Sequence, residues 1–411
     1  MQTQLSDIIK ATREGLEAED ILRKCVHCGF CNATCPTYQL LGDELDGPRG
    51  RIYLIKQVLE GQPASSNTLH HLDRCLTCRN CETTCPSGVE YGKLVEIGRH
   101  IVAGQVRRPW YETLKRQTLK AILPRQWLFT PLLRSAQLIR FGLPGKFARK
   151  IPAYQQHSVW PVRTHERKMI LLDGCVQPGI SPNINAATSR VMDRLGIELL
   201  VAPKAGCCGA LRSHLNDHSG GLADAKRNID AWLPLLDAGA EALVMTASGC
   251  GTMIKEYGYL LAGDPDYAEK AKRISAATFD LSEVLFDLTE QLGKLGYRKN
   301  AAKNVAYHPP CSLQHAQKNT GKVEKILAVA GITAQRCANS HLCCGSAGTY
   351  SILQPELAST LRDQKLQNLH ATGAQQIVSA NIGCIAHLQS GTSMPVTHWI
   401  ELLDQVLVAA G

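Results

Sequence analysis

Two runs of cysteine decide most of what this chain can become. The first is Cys25-Val26-His27-Cys28-Gly29-Phe30-Cys31-Asn32-Ala33-Thr34-Cys35-Pro36, and the second is Cys75-Leu76-Thr77-Cys78-Arg79-Asn80-Cys81-Glu82-Thr83-Thr84-Cys85-Pro86. Both read C-x2-C-x2-C-x3-C-P. Three thiolates spaced two residues apart can wrap one corner of an iron-sulfur cube, and the fourth, followed by Pro, points away from it. Zinc prefers two CxxC pairs separated by a longer loop. Disulfides need an oxidising compartment, and no N-terminal stretch has the charged, apolar and small-residue regions of an export signal. With 17 Cys in 411 residues, the expectation is metal ligands in a reducing cytosol.

The length suggests two to three domains, each able to bury a core. No apolar run reaches the roughly 18 residues of a membrane span. The formal charge of +9 is uneven, because residues 107–168 hold 14 Lys and Arg against Glu112 and Glu166, a local balance of +12. A basic character spread over the whole chain would point to nucleic acid; a single basic segment points to a docking surface. That segment is broken by Pro109, Pro124, Pro131, Pro144, Pro152 and Pro161 and carries Trp110, Trp127 and Trp160. Aromatics among Lys and Arg suit a partner groove or a membrane surface. The plainer reading is a linker that packs its apolar face on its own protein.

Around the runs, helices are expected over 3–24 and near 90–106, with another restarting at Arg51 after the Gly47-Pro48 turn. Arg49 and Arg51 either offset the charge of a thiolate-bound cluster or pair with Asp43, Glu44 or Asp46. From residue 169 the chain reads as alternating strand and helix and repeats itself. Cys175, Cys207, Cys208 and Cys250 recur as Cys311, Cys343, Cys344 and Cys384. The gap to the Cys-Cys-Gly is 31 residues in both copies, and the gap to the last Cys is 41 and 39. Matched spacing over this distance marks an internal duplication. Alternation of strand and helix predicts parallel sheets with a Cys at each strand's carboxyl end. Cys337 has no counterpart and reads as an ordinary buried thiol.

The first 106 residues resemble two-cluster ferredoxins, in which the fourth Cys of each run ligates the other cluster. That resemblance assigns Cys25, Cys28, Cys31 and Cys85 to one 4Fe-4S cluster and Cys75, Cys78, Cys81 and Cys35 to a second. Residues 169–390 resemble the cysteine-rich CCG domains of heterodisulfide reductases and flavin-linked dehydrogenases. The fullest CCG pattern ends each repeat in C-x2-C and supplies five Cys to an unusual cluster. Here Met253 and His387 stand where the fifth Cys would be. Either each quartet, or both together, hold a further iron-sulfur centre, or the quartets are a structural or vestigial Cys pocket. His308, His315, His341 and His387 lie near the second quartet and read as hydrogen-bonded bystanders.

The expected architecture is α+β: a helical two-cluster domain over 1–106, the basic segment 107–168, a first α/β CCG repeat over 169–263, a connector over 264–303, and a second repeat over 304–411. Nearly end to end, the chain resembles the iron-sulfur subunits of glycolate oxidases (glycolate dehydrogenases). The Pro36-Thr37-Tyr38, Leu45-Asp46-Gly47-Pro48-Arg49-Gly50-Arg51 and His341-Leu342-Cys343-Cys344-Gly345-Ser346-Ala347-Gly348 stretches carry this resemblance. Electron-transfer subunits of glycerol-3-phosphate and lactate dehydrogenases are close alternatives. The chain has no G-x-G-x-x-G dinucleotide fingerprint and no P-loop. The resemblance implies FAD on partner subunits of a hetero-oligomer, oxidising glycolate to glyoxylate, with this chain relaying electrons to a quinone or other membrane acceptor. It would be cytoplasmic and peripheral on the inner face of the cell membrane, and not itself catalytic on glycolate. The rival readings are a catalytic CCG half, as in heterodisulfide reductases, and a zinc scaffold.

Overall fold

The computed structural model describes residues 1–298 and 304–407; the last residues expected for the connector and for the second repeat lie outside these. Among the described residues the chain is mixed helix and sheet. The amino-terminal part is helical. Arg13–Lys24, Pro48–Leu59, Ser66–Asp73 and Tyr91–Gln105 pack Ile21, Leu22, Ile55, Leu59, Leu72, Leu94 and Val95 into one core. The single helix expected over 3–24 is two, Asp7–Lys10 and Arg13–Lys24, because the Thr12 hydroxyl accepts the Gly15 N–H at 3.0 Å and starts a new helix. Ser65 and Thr68 form a capping box ahead of Ser66–Asp73. Gly98 lets Tyr91–Gln105 approach its neighbour, since a Cβ there would sit 2.6 Å from Ile55.

The rest is two parallel four-stranded sheets. The first contains β1 (Arg167–Leu171), β2 (Ile197–Val201), β3 (Leu243–Met245) and β4 (Thr278–Asp280), in the order β2-β1-β3-β4. The second contains β5 (Asn304–His308), β6 (Thr333–Arg336), β7 (Ile377–Ser379) and β8 (Val396–His398), in the order β6-β5-β7-β8. The orders are the same, as a duplicated unit requires. Crossover helices such as Asn183–Arg194 and Pro355–His370 cover the sheets. Residues 264–303, expected as a connector, supply β4, which pairs with β3 and completes the first sheet.

One hydrophobic core runs through both repeats, from Met169 and Val191 to Val305, Ile377 and Trp399. Polar contacts fix the pairing. The Ser248 and Ser312 hydroxyls meet at 2.7 Å, Gln317 donates to the Ser248 carbonyl at 2.8 Å, and His398 Nε2 lies 2.9 Å from the Thr246 carbonyl.

The longest helices of the basic segment are Trp110–Ile122 and Gln126–Ile139. Arg108 and Arg116 both pair with Asp73 of the helical part. Leu133 is buried, and Phe129 and Leu133 pack near Gly179. The opposite surface is open: Trp110 is 77% exposed, Trp127 73% and Phe141 93%.

Candidate functional site

The two Cys runs follow one backbone path. His27 and Gly29 of the first have positive φ (60° and 86°), as do Thr77 and Arg79 of the second (52° and 58°). The left-handed residues turn the chain so that successive thiols face inward. The wrap strains the three non-glycine positions. Gly29 adopts it freely, and its missing side chain makes room for Arg49, whose guanidinium would lie 2.7 Å from a Cβ there. A short helix follows in each run, Phe30–Ala33 and Asn80–Thr84.

Two cavities result. One is lined by Cys25, Cys28, Cys31 and Cys85, with Cys81 and Tyr91 on its wall. The other is lined by Cys35, Cys75, Cys78 and Cys81, again with Tyr91. The fourth Cys of each run thus lies in the cavity built by the first three of the other. The electrostatics partition the same way. Burial, then the Cys25, Cys85 and Cys28 thiols, push Cys31 up to about 11. Burial, then Cys78, Cys75 and Cys35, push Cys81 well above its usual range. Thiols so crowded resist ionising together, and a multiply charged iron core supplies the missing positive charge. The donor set therefore fits 4Fe-4S clusters.

Surrounding groups already favour a thiolate at one position. Burial alone would raise Cys75, but the Arg51 and Arg99 guanidiniums outweigh it and bring the thiol below its usual range. The Thr77 N–H donates to Cys75 Sγ at 3.4 Å and the Tyr91 hydroxyl at 3.6 Å. Arg51 is buried. It contacts Thr37 Oγ1 at 3.2 Å, Asp46 at 3.3 Å and the His71 carbonyl at 2.7 Å, and Thr37 Oγ1 lies 3.3 Å from Cys35 Sγ. The pairing reading holds for both arginines, Arg49 with Glu44 at 2.6 Å and Arg51 with Asp46, and each also lines a thiol cavity. Sequence reasoning missed Tyr91 and Arg99. Arg99 donates to the Leu72 and Cys75 carbonyls and to Thr77 Oγ1 and pins the loop that carries Cys75.

In each repeat the four thiols form a chain at the carboxyl ends of the strands. Cys175 contacts Cys207, Cys207 contacts Cys208, and Cys208 contacts Cys250. Cys311 lies 3.9 Å from Cys343, which contacts Cys344, which contacts Cys384. The Cys-Cys-Gly glycines are needed for this: Gly209 has φ +92° and Gly345 +87°, and a Cβ would meet a backbone oxygen at 2.7 and 2.6 Å. Their N–H groups donate to Cys207 and Cys343 Sγ at 3.5 and 3.4 Å. Met253 is buried in the apolar core beside Cys208. His387 Nε2 lies 3.1 Å from the Ala358 carbonyl, and His315 is held by Thr83 Oγ1 and the His341 carbonyl, each at 2.9 Å. His308 departs from the bystander expectation: it is buried, and among the described residues neither ring nitrogen has a hydrogen-bond partner. Cys337 is buried in the apolar core.

The second repeat also abuts the clusters' domain. Leu76, Cys343, Tyr350 and Leu361 share one apolar cluster against which Cys78 and Cys311 pack. Asn80 donates to the His341 carbonyl at 3.2 Å and Tyr350 to the Arg74 carbonyl at 3.1 Å.

Comparisons with known proteins agree with this organisation. The 4Fe-4S dicluster domain family matches residues 21–89, and the cysteine-rich CCG domain family matches 169–255 and 305–389. The glycolate oxidase iron-sulfur subunit of Escherichia coli (strain K12) is 53% identical over 408 residues, covering 99% of each chain. The probable glycolate oxidase iron-sulfur subunit of Bacillus subtilis (strain 168) is 28% identical over 443 residues, covering 100% of this chain and 98% of its own. Lactate utilization protein A of Geobacillus thermodenitrificans (strain NG80-2) is 29% identical but covers only 58% of this chain, with 98% of its own. A hypothetical protein from Helicobacter pylori shares the fold, with a TM-score of 0.54 at 10% identity over 98% of this chain and 74% of that one.

Proposed function

The chain belongs to the glycolate oxidase iron-sulfur subunit family, and on that premise we propose that it takes electrons from FAD on partner subunits that oxidise glycolate to glyoxylate, and delivers them to a quinone or another membrane acceptor. It is a subunit of an oxidoreductase complex and an iron-sulfur protein. Cys25, Cys28, Cys31 and Cys85 hold one cluster, and Cys35, Cys75, Cys78 and Cys81 the other. When bound, the clusters supply one-electron carriers, which a two-electron flavin needs on its acceptor side.

The chain's own part is placement and polarisation. Arg51 and Arg99 stabilise thiolate at Cys75. Tyr91 stands in the wall of both cavities and keeps them adjacent. The exchange of Cys35 and Cys85 between the cavities carries this reading, because zinc sites built from separate CxxC pairs have no reason to interleave. Full-length similarity favours glycolate over lactate, since the lactate utilization protein covers little more than half of this chain. The two CCG quartets are the candidates for a further iron-sulfur centre.

Among the described residues no helix is long and apolar enough to cross a membrane. The basic segment, with Trp110 and Trp127 exposed, is the surface offered to the partner subunits or to anionic lipid. The decisive experiment isolates the complex without oxygen and adds glycolate. Flavin reduction should be followed by bleaching of the cluster absorption, and Cys78→Ser should suppress the second phase. Bleaching with lactate alone, or flavin reduction that leaves the clusters untouched, overturns the assignment.

A further inference from the structure

The two repeats share a sheet order and a thiol chain but differ three residues before their first Cys. In the first repeat that position is Leu172, just beyond β1; in the second it is His308, the last residue of β5. His308 is 1% exposed, and among the described residues neither ring nitrogen has a hydrogen-bond partner. An imidazole left so has given up water without gaining a partner, which is costly. A nitrogen of His308 and the sulfurs of Cys344 and Cys384 all lie within 4.8 Å of one another. Three donors so close can converge on one metal atom. Imidazole with thiolate is a donor set for iron or zinc.

The neighbourhood favours iron. Cys343, next to Cys344, packs with Leu76, and Cys78 and Cys311 pack against the same apolar cluster. The second quartet therefore stands directly beside the cavity of Cys35, Cys75, Cys78 and Cys81, whereas a structural zinc has no reason to sit there. We infer that the second CCG repeat holds an iron-sulfur centre in which His308 supplies a nitrogen ligand to the iron also bound by Cys344 and Cys384. This rests on the reading of the quartets as candidates for a further iron-sulfur centre. It makes the repeats unequal: the second carries a mixed nitrogen and sulfur site, and the first, with Leu172, does not. Replacing thiolate by imidazole raises a cluster's potential, so this centre is the electron-attracting end of the chain's own relay.

The full chain, purified without oxygen, tests this by metal and sulfide content and by pulsed electron paramagnetic resonance with 15N-histidine labelling. Iron should exceed the complement of the two 4Fe-4S clusters. A nitrogen hyperfine coupling should change on labelling and vanish in His308→Leu, a side chain the first repeat already accepts at this position. His308→Cys should keep the extra iron, lose the coupling and lower the midpoint potential of the centre. Cys175→Ser, which alters only the first repeat's thiol chain, should leave the coupling unchanged. Extra iron without nitrogen coupling, or coupling that persists in His308→Leu, overturns the ligand assignment and leaves the quartet reading intact. No iron beyond the two clusters, or zinc in its place, overturns both.

Discussion

Gly345 shows how one residue governs a site. Its φ of +87° and the 2.6 Å approach of a Cβ to the Ala358 carbonyl leave no room for a side chain. Gly345→Ala should lower stability by about 1–3 kcal/mol and loosen the thiols around it. Gly373→Ala is the control: φ is +73° but nothing lies within 4 Å, so its cost should stay near about 1 kcal/mol. Paired thermal melts separate backbone strain from steric conflict. His398 is a second such residue. Burial pushes its imidazole down to about 3, against an ordinary 6.5. Between those values the unfolded chain takes up a proton that the folded chain refuses. Its contribution is therefore neutral above 6.5 and increasingly destabilising as the pH falls toward 3, by about 1.4 kcal/mol per unit. The stability gap between the native chain and His398→Asn should narrow from about pH 8 to about pH 5, and melts at both values check it.

Among elements, the stretch from Asp46 to Arg51 does more than join two cysteine runs. Arg51 is 1% exposed and Asp46 fully buried, with His71 and Arg74 completing the group. Arg51→Met removes one partner of a buried carboxylate that keeps Arg74, and should cost about 1–3 kcal/mol, read by denaturant titration; it should also make the iron at Cys75 easier to strip with chelator. The helix Trp110–Ile122 behaves oppositely. Its Trp110 is exposed, so Trp110→Ala should change stability by less than about 0.5 kcal/mol while weakening assembly with the partner subunits or binding to anionic vesicles, measured by co-sedimentation. Much of this was legible in the sequence. Cys spacing is local and repeated, so the two cavities and both thiol chains could be placed. β4 could not: Thr278–Asp280 is three residues with one exposed side chain, Phe279, and nothing in so short a stretch separates strand from loop. Tyr91 and Arg99 escaped because their importance lies in contacts with Cys75 and Thr77, 16 and 22 residues away in sequence. For His308 the sequence shows a histidine near cysteines; only burial without a partner distinguishes it from His315 and His387.

At the scale of the molecule, the second repeat is pressed against the helical part through Asn80, Tyr350 and the apolar cluster of Leu76 and Cys343. The first repeat is tied to it by Arg79 and Glu256 and by the Tyr259 hydroxyl on Glu17 at 2.7 Å. Both halves are thus anchored to the same small domain. Within that domain each run lends its last thiol to the other's cavity, and Cys81 borders both. The consequence concerns biogenesis. Neither pocket is complete until the opposite stretch of chain has folded into place, so the loading of one should depend on the loading of the other. Cofactor delivery should be all-or-none: Cys85→Ser ought to drain iron from both positions, not halve it, and a scaffold protein donating one cube at a time would have to wait for the second before letting go.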